Sequence, residues 1–114
     1  MRGLILLLLL VATPSWANFD RITSGRQTVS NSGTRVQLST VSIPCQRVIV
    51  TAEIDNTDTV VVGGANVVAS PDAAIVGTPL AAGDSFTIMV NDANKVYVDV
   101  QNNGEGVNYT VLGG

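Results

Sequence analysis

The chain of 114 residues has no histidine and one cysteine, Cys45. The first lack removes the commonest general base and the commonest metal ligand together. The second excludes an intrachain disulfide and leaves Cys45 to be read as a buried thiol acting as a small hydrophobe, with an intermolecular disulfide as the sharper alternative. Aromatic residues are scarce (one Trp, two Tyr, two Phe), too few for a stacking platform or a sugar-binding cleft. Six Lys and Arg are scattered against nine Asp and Glu, for a net charge of −3. A nucleic-acid partner calls for clustered cations that displace counterions, and an anionic membrane surface calls for a basic stripe. The chain has neither. No helix-forming periodicity is found after Asn18.

A period of two fills that space. In "RVIVTAEI", Val48, Val50, Ala52 and Ile54 alternate with Arg47, Thr51 and Glu53. "SFTIMV" sets Phe86, Ile88 and Val90 on one side, and "KVYVDVQ" sets Val96, Val98 and Val100 opposite Lys95, Tyr97, Asp99 and Gln101. "GVNYTVL" repeats the pattern with Val107, Tyr109 and Val111, and "TVVVG", "NVVAS" and "TRVQLST" read as further short strands. Such alternation marks strands with one buried face. Gly63-Gly64, Ala82-Gly83-Asp84 and Asn102-Asn103-Gly104 supply turns between them, with Gly63-Gly64 expected to close a hairpin between "TVVV" and "NVVA". The fold expected is all-β: an antiparallel β-sandwich or jelly-roll-like barrel of about seven or eight short strands. Its core is expected to hold Val48, Val50, Ile54, Val60, Val62, Phe86, Ile88, Val96, Val98 and Val111. Truncating Phe86, the largest of these, to Ala is expected to cost about 3–5 kcal/mol.

Three regions are read along the chain. Residues 1–17 carry Arg2, an apolar run from Leu4 to Ala12, Pro14 and the small pair Ser15 and Ala17 around Trp16, the layout of a secretory signal peptide or a retained anchor. The run is shorter than the roughly 20 residues of a spanning helix. Residues 18–34 read as a polar arm or linker, and residues 35–114 as the sandwich domain.

Chemistry finds little purchase. Asp55 with Asp58, and Asp92 with Asn94, lack the convergent oxygens of a calcium loop and read as turn-capping groups. "VVGGANV" lacks the Lys-Ser/Thr of a phosphate loop. Asn108-Tyr109-Thr110 is a glycosylation sequon lying mid-strand. The expectation is a non-enzyme with no cofactor and no metal. Val60-Val61-Val62 is apolar on both faces, which suggests cover by the opposite sheet on one side and by another subunit on the other. Val61, Met89 and Tyr97 are the candidate interface residues. On that reading Val61→Asp weakens an oligomer while the monomer stays folded.

Four stretches occur in an order that resembles a family of small bacteriophage virion β domains. "PCQRVIVTAE" (Pro44 to Glu53) is similar to its Cys before a basic, β-branched strand. "NTDTVVVGGANV" (Asn56 to Val67) is similar to its Asn-Thr loop, valine strand and Gly-Gly hairpin. "GTPLAAGDSFTIMV" (Gly77 to Val90) matches its Pro-Leu stretch before Gly-acid-Ser, and "NKVYVDVQNNGEGVNY" (Asn94 to Tyr109) its closing hairpin. The resemblance implies a structural role in the virion, decorating or cementing the head shell or forming part of a fibre. It implies a homo-oligomer, with a trimer as first expectation, meeting other virion proteins such as the major capsid protein. The signal-like start departs from it, since phage heads assemble in the cytoplasm. Either that segment is retained as an anchor, the one route to a membrane, or the chain is a secreted or periplasmic β-sandwich that binds a ligand or a surface.

Overall fold

The computed structural model describes residues 21–70 and 74–113, so the apolar segment of residues 1–17 lies outside the described residues. Eight strands form two antiparallel four-stranded sheets, as the alternation predicts. They are β1 (Ile22–Thr28), β2 (Val36–Gln37), β3 (Arg47–Ala52), β4 (Val60–Gly63), β5 (Thr78–Leu80), β6 (Ser85–Ile88), β7 (Tyr97–Val100) and β8 (Gly106–Leu112). The first sheet runs β1-β8-β3-β6 and the second β2-β7-β4-β5. A single 3₁₀ turn, Ala93–Lys95, precedes β7, and there is no α-helix among the described residues. No helix there is long and apolar enough to cross a membrane.

The core lies between the sheets and is built mostly of valine. Val48 and Val50 of β3 stand beside Val111 and Tyr109 of β8, and Val60 and Val62 of β4 beside Val100 and Val98 of β7. All of these but Tyr109 are fully buried, and Val29, Leu38, Val96 and Val107 belong to the same cluster. Branching at Cβ leaves valine few rotamers to lose and suits it to a pleated surface. Every buried side-chain nitrogen and oxygen among the described residues has a hydrogen-bond partner.

Two expected core residues are not in the core. Ile54 is 87% exposed because β3 ends at Ala52. Beyond it the chain enters a turn closed by Asn56 N–H donating to the Glu53 carbonyl (3.1 Å), so a period of two no longer applies at Ile54. Phe86 does share the inward face, opposite Val50, but β6 is the last strand of its sheet and leaves the ring 37% exposed. Phe86→Ala is therefore expected to cost about 1–2 kcal/mol, short of the roughly 3–5 kcal/mol of a buried ring. Chemical denaturation of the variant measures the difference. Ile88, also on β6, is half-buried against the core.

Within the segment read as an arm, Ile22–Thr28 form a strand. β1 pairs with β8 along its whole length, from Ile22 opposite Leu112 to Thr28 opposite Gly106, so the sandwich begins well before residue 35. Its inward residues, Thr23, Gly25 and Gln27, carry no apolar signal. The burial at Gly25 comes from its neighbour: a Cβ there would lie 2.4 Å from the Tyr109 hydroxyl oxygen, because the tyrosine ring occupies that space. Gln27 reaches the other sheet, its Nε2 donating to the Gln37 carbonyl at 2.8 Å. At the end of the ladder, a Cβ on Gly106 would fall 2.1 Å from the Gln27 carbonyl oxygen, so only glycine lets β1 and β8 close there.

The expected Gly63-Gly64 hairpin is absent. β4 already has β5 on one side and β7 on the other, so no ladder position remains for "NVVA". The chain instead turns, with Val67 N–H donating to the Gly64 carbonyl (3.2 Å), and only Val68 makes an isolated bridge, to Val76.

Candidate functional site

The returning segment explains the valine run. Val61 points away from the main core, yet it is fully buried, packed against Val67 and Ala69 with half-buried Tyr97 beside them. A Cβ on Gly77, whose φ is +117°, would come within 2.7 Å of Val61 Cγ1, which shows how close the cover lies. Val61 is thus not on the surface of the protomer, and the second cover expected from another subunit is supplied by this chain. The correction has a plain cause: alternation reports that both faces are covered and says nothing about which chain covers them.

Opposite Val61 in the β4–β7 ladder stands Asp99, which the alternation places toward water. It is 1% exposed. Its Oδ1 accepts from the N–H of Gly33 (3.0 Å) and Val100 (2.9 Å), and its Oδ2 from the N–H of Ala69 (2.9 Å). One carboxylate so ties the loop after β1 and the segment after β4 to the outer face of the second sheet. A charge-assisted bond to backbone N–H is among the stronger kinds, and the carboxylate's lone pairs match three donors. The signal for Asp99 was present in "YVDVQ", since Asp is depleted in strands and here sits among β-branched residues.

The other two candidate interface residues lie apart. Met89, just past β6, is 74% exposed and borders an open groove with Cys45, Gln46, Val90, Asn91 and Lys95. Tyr97 borders a different open groove on the second sheet, with Gly33, Thr34, Arg35 and Ala65. Met89 has company that the sequence did not identify. Ile54 lies against the Gly83 turn leading into β6, and Phe86 is on the strand itself. Three exposed apolar side chains therefore flank one sheet edge.

The titratable groups serve the loops. Cys45 is buried, its thiol donating to the Val90 carbonyl at 3.2 Å, and burial followed by the nearby Asp92 charge pushes its pKa up. That favours the thiol over the nucleophilic thiolate. Glu53 forms an ion pair with Arg26, whose Nη2 lies 3.3 Å from Oε1 while Nε donates to Oε2. Asp92 accepts from the Ser42 hydroxyl, from Ile43 N–H (2.9 Å) and from Asn94 N–H (3.0 Å). Asp58 Oδ2 accepts from Asn102 Nδ2 at 2.7 Å. Among the described residues no three His, Cys, Asp or Glu side chains are grouped as metal ligands would be.

Acid should loosen two of these loops. The Ser42 hydroxyl, then Asn94 and Ile43 N–H, hold Asp92 below its ordinary 3.8. For Glu105, burial pushes upward but is outweighed by Thr57 N–H and hydroxyl, Asp58 N–H and the Asn102 amide, which leave it below 4.5. A carboxylate depressed in the folded state stabilises above its unfolded pKa, and that contribution is lost as pH falls through the folded value. Amide exchange at Ile43 and Thr57 is therefore expected to speed up, relative to amides within β3, as pH drops below those ordinary values. Both groups are half-buried in loops outside the core, so local opening should precede any global change.

No protein-family model, curated protein or solved structure matches the chain.

Proposed function

We propose that the chain is a non-enzymatic structural protein of a bacteriophage virion, decorating or cementing the capsid or forming part of a head or tail fibre through self-association. The observation that carries the assembly part is the β6 edge. A strand at the end of a sheet offers unpaired backbone donors and acceptors, and soluble proteins commonly protect such edges with charge, proline or a covering loop. The opposite sheet has Pro79 in its edge strand β5. β6 carries no proline and no charge, and Ile54, Phe86 and Met89 lie exposed beside it. Exposed apolar side chains spaced along an open edge, with Ile54 at its Gly83 end and Met89 at the other, support a contact along that edge.

The virion part rests on the ordered resemblance over Pro44 to Tyr109. With Val61 interior, the contact residues of this reading are Met89, Phe86 and Ile54. Closed cyclic symmetry is the ordinary arrangement of one repeated surface, and the resemblance favours three copies. Sedimentation of the full chain tests this: an oligomer is expected, and Met89→Glu, at a position too exposed to be needed for folding, should shift it toward monomer. A clean monomer at high concentration would remove self-association from the reading.

A further inference from the structure

The turn between β7 and β8 holds the one Asn-Gly step of the chain, Asn103-Gly104. We propose that Asn103 is a site of covalent self-modification, deamidation to aspartyl and isoaspartyl forms, which the loop following β1 holds shut while the protein is folded. The reaction needs two groups of the chain and water. The backbone nitrogen of Gly104 attacks Asn103 Cγ; an N–Cγ bond forms, the Cγ–Nδ2 bond breaks, and Nδ2 leaves as ammonia carrying the proton lost by Gly104. Water then opens the five-membered imide at either carbonyl, giving Asp or its isomer with one more main-chain carbon. No oxidant or reductant takes part. Glycine favours the attack because no Cβ shields its nitrogen.

In the fold both reacting groups are held elsewhere. Asn103 Oδ1 accepts from Ser32 N–H at 2.8 Å, and Gly104 N–H donates to the Val29 carbonyl at 2.8 Å. The attacking nitrogen and the attacked amide are thus each bonded to the same loop, and Glu105 N–H donating to the Asn102 carbonyl (3.3 Å) closes the turn around them. Yet Asn102, Asn103 and Gly104 are all exposed, so water has access whenever the loop lifts. The isomerised product would lengthen the backbone between Asn102 and Glu105. It would break the Gly104–Val29 bond and displace Glu105, which receives Thr57 N–H at 2.6 Å. Modification would thereby weaken the hold on the loops at both ends of this turn.

The loop offers a clean way to remove one bond. Thr34 N–H donates to the Asn31 carbonyl at 3.0 Å, and Gly33 has φ +88°, so Ser32 and Gly33 are the central residues of a type II turn. Proline is favoured at the first central position of such a turn. Ser32→Pro therefore keeps the turn and deletes the N–H that Asn103 accepts, whereas Ser32→Ala keeps the N–H.

The experiment is incubation of the full chain in mildly alkaline buffer, with peptide mapping of the Asn, Asp and isoAsp forms at residue 103. The native chain is expected to react about tenfold more slowly than the same chain in guanidinium, since reaction needs local opening. Ser32→Pro should react several-fold faster than the parent, and Ser32→Ala at the parent rate. Equal rates in native and denatured chain, or equal rates in Ser32→Pro and parent, would overturn the proposal. Should Ser32→Pro not fold, the native-to-denatured ratio of the parent decides alone.

Discussion

Val61→Asp is expected to abolish the folded state, not to dissociate an oligomer. Val61 has no exposed surface and is enclosed by Val67, Ala69 and the close approach of Gly77. A carboxylate placed there loses its hydration and gains no cation. Its ladder partner is Asp99, itself buried, so a second negative group would adjoin the first. Even after relaxation an unpaired buried ion costs several kcal/mol, and protonation to escape that cost still leaves a carboxyl without a partner. A domain of this size holds about 5–15 kcal/mol in all. Thermal unfolding followed by circular dichroism is the measurement, and loss of the cooperative transition is the expected result. A variant that melts like the parent but sediments as a smaller species would return Val61 to the interface. Val61→Thr, nearly the same shape with one added hydroxyl, should cost about 1–3 kcal/mol, the penalty of an unpaired buried polar group.

The contrast between Val61 and Phe86 shows where period-two reading succeeds and where it stops. It succeeds where a strand has neighbours on both sides. β3, β4, β7 and β8 are interior to their sheets, and their alternating valines are buried as alternation predicts. It stops at sheet edges, where orientation and burial separate: Phe86 points inward at the open end of its sheet and remains exposed. It fails to find β1, whose inward residues are Thr23, Gly25 and Gln27, because there the apolar material comes from Tyr109 across the ladder. The β6 edge was partly legible, since Met89 stood out, but its partners did not. Ile54 reads as core only by a pattern that ends two residues earlier, at Ala52. Which loop covers which sheet face depends on long-range chain path, and no local periodicity encodes that.

Asp99→Ala is the second large effect, and it measures the attachment of both covering loops at once. Removing the carboxylate leaves the N–H groups of Gly33, Ala69 and Val100 without their acceptor. The Ala69 and Val100 bonds are buried, while Gly33 is exposed in a loop that water can reach. With two donors stranded at about 1–3 kcal/mol each, a loss of about 2–6 kcal/mol is expected. Asp99→Asn separates charge from shape. Its single oxygen can still serve Gly33 and Val100, but its NH₂ would then face the Ala69 N–H, donor against donor. The segment after β4 should therefore detach before the loop after β1 in this variant, at a global cost of about 1–3 kcal/mol for the one donor lost. Hydrogen exchange resolves the order: Ala69 loses protection in Asp99→Asn while Gly33 keeps it, and both lose it in Asp99→Ala. Since Val61 lies under the same cover, its burial depends on this carboxylate, and Asp99→Ala should also expose the second apolar cluster to a hydrophobic dye. An Asp99→Ala protein with parental stability and parental protection at Ala69 would show that packing of Val61, Val67 and Ala69 alone holds the cover in place.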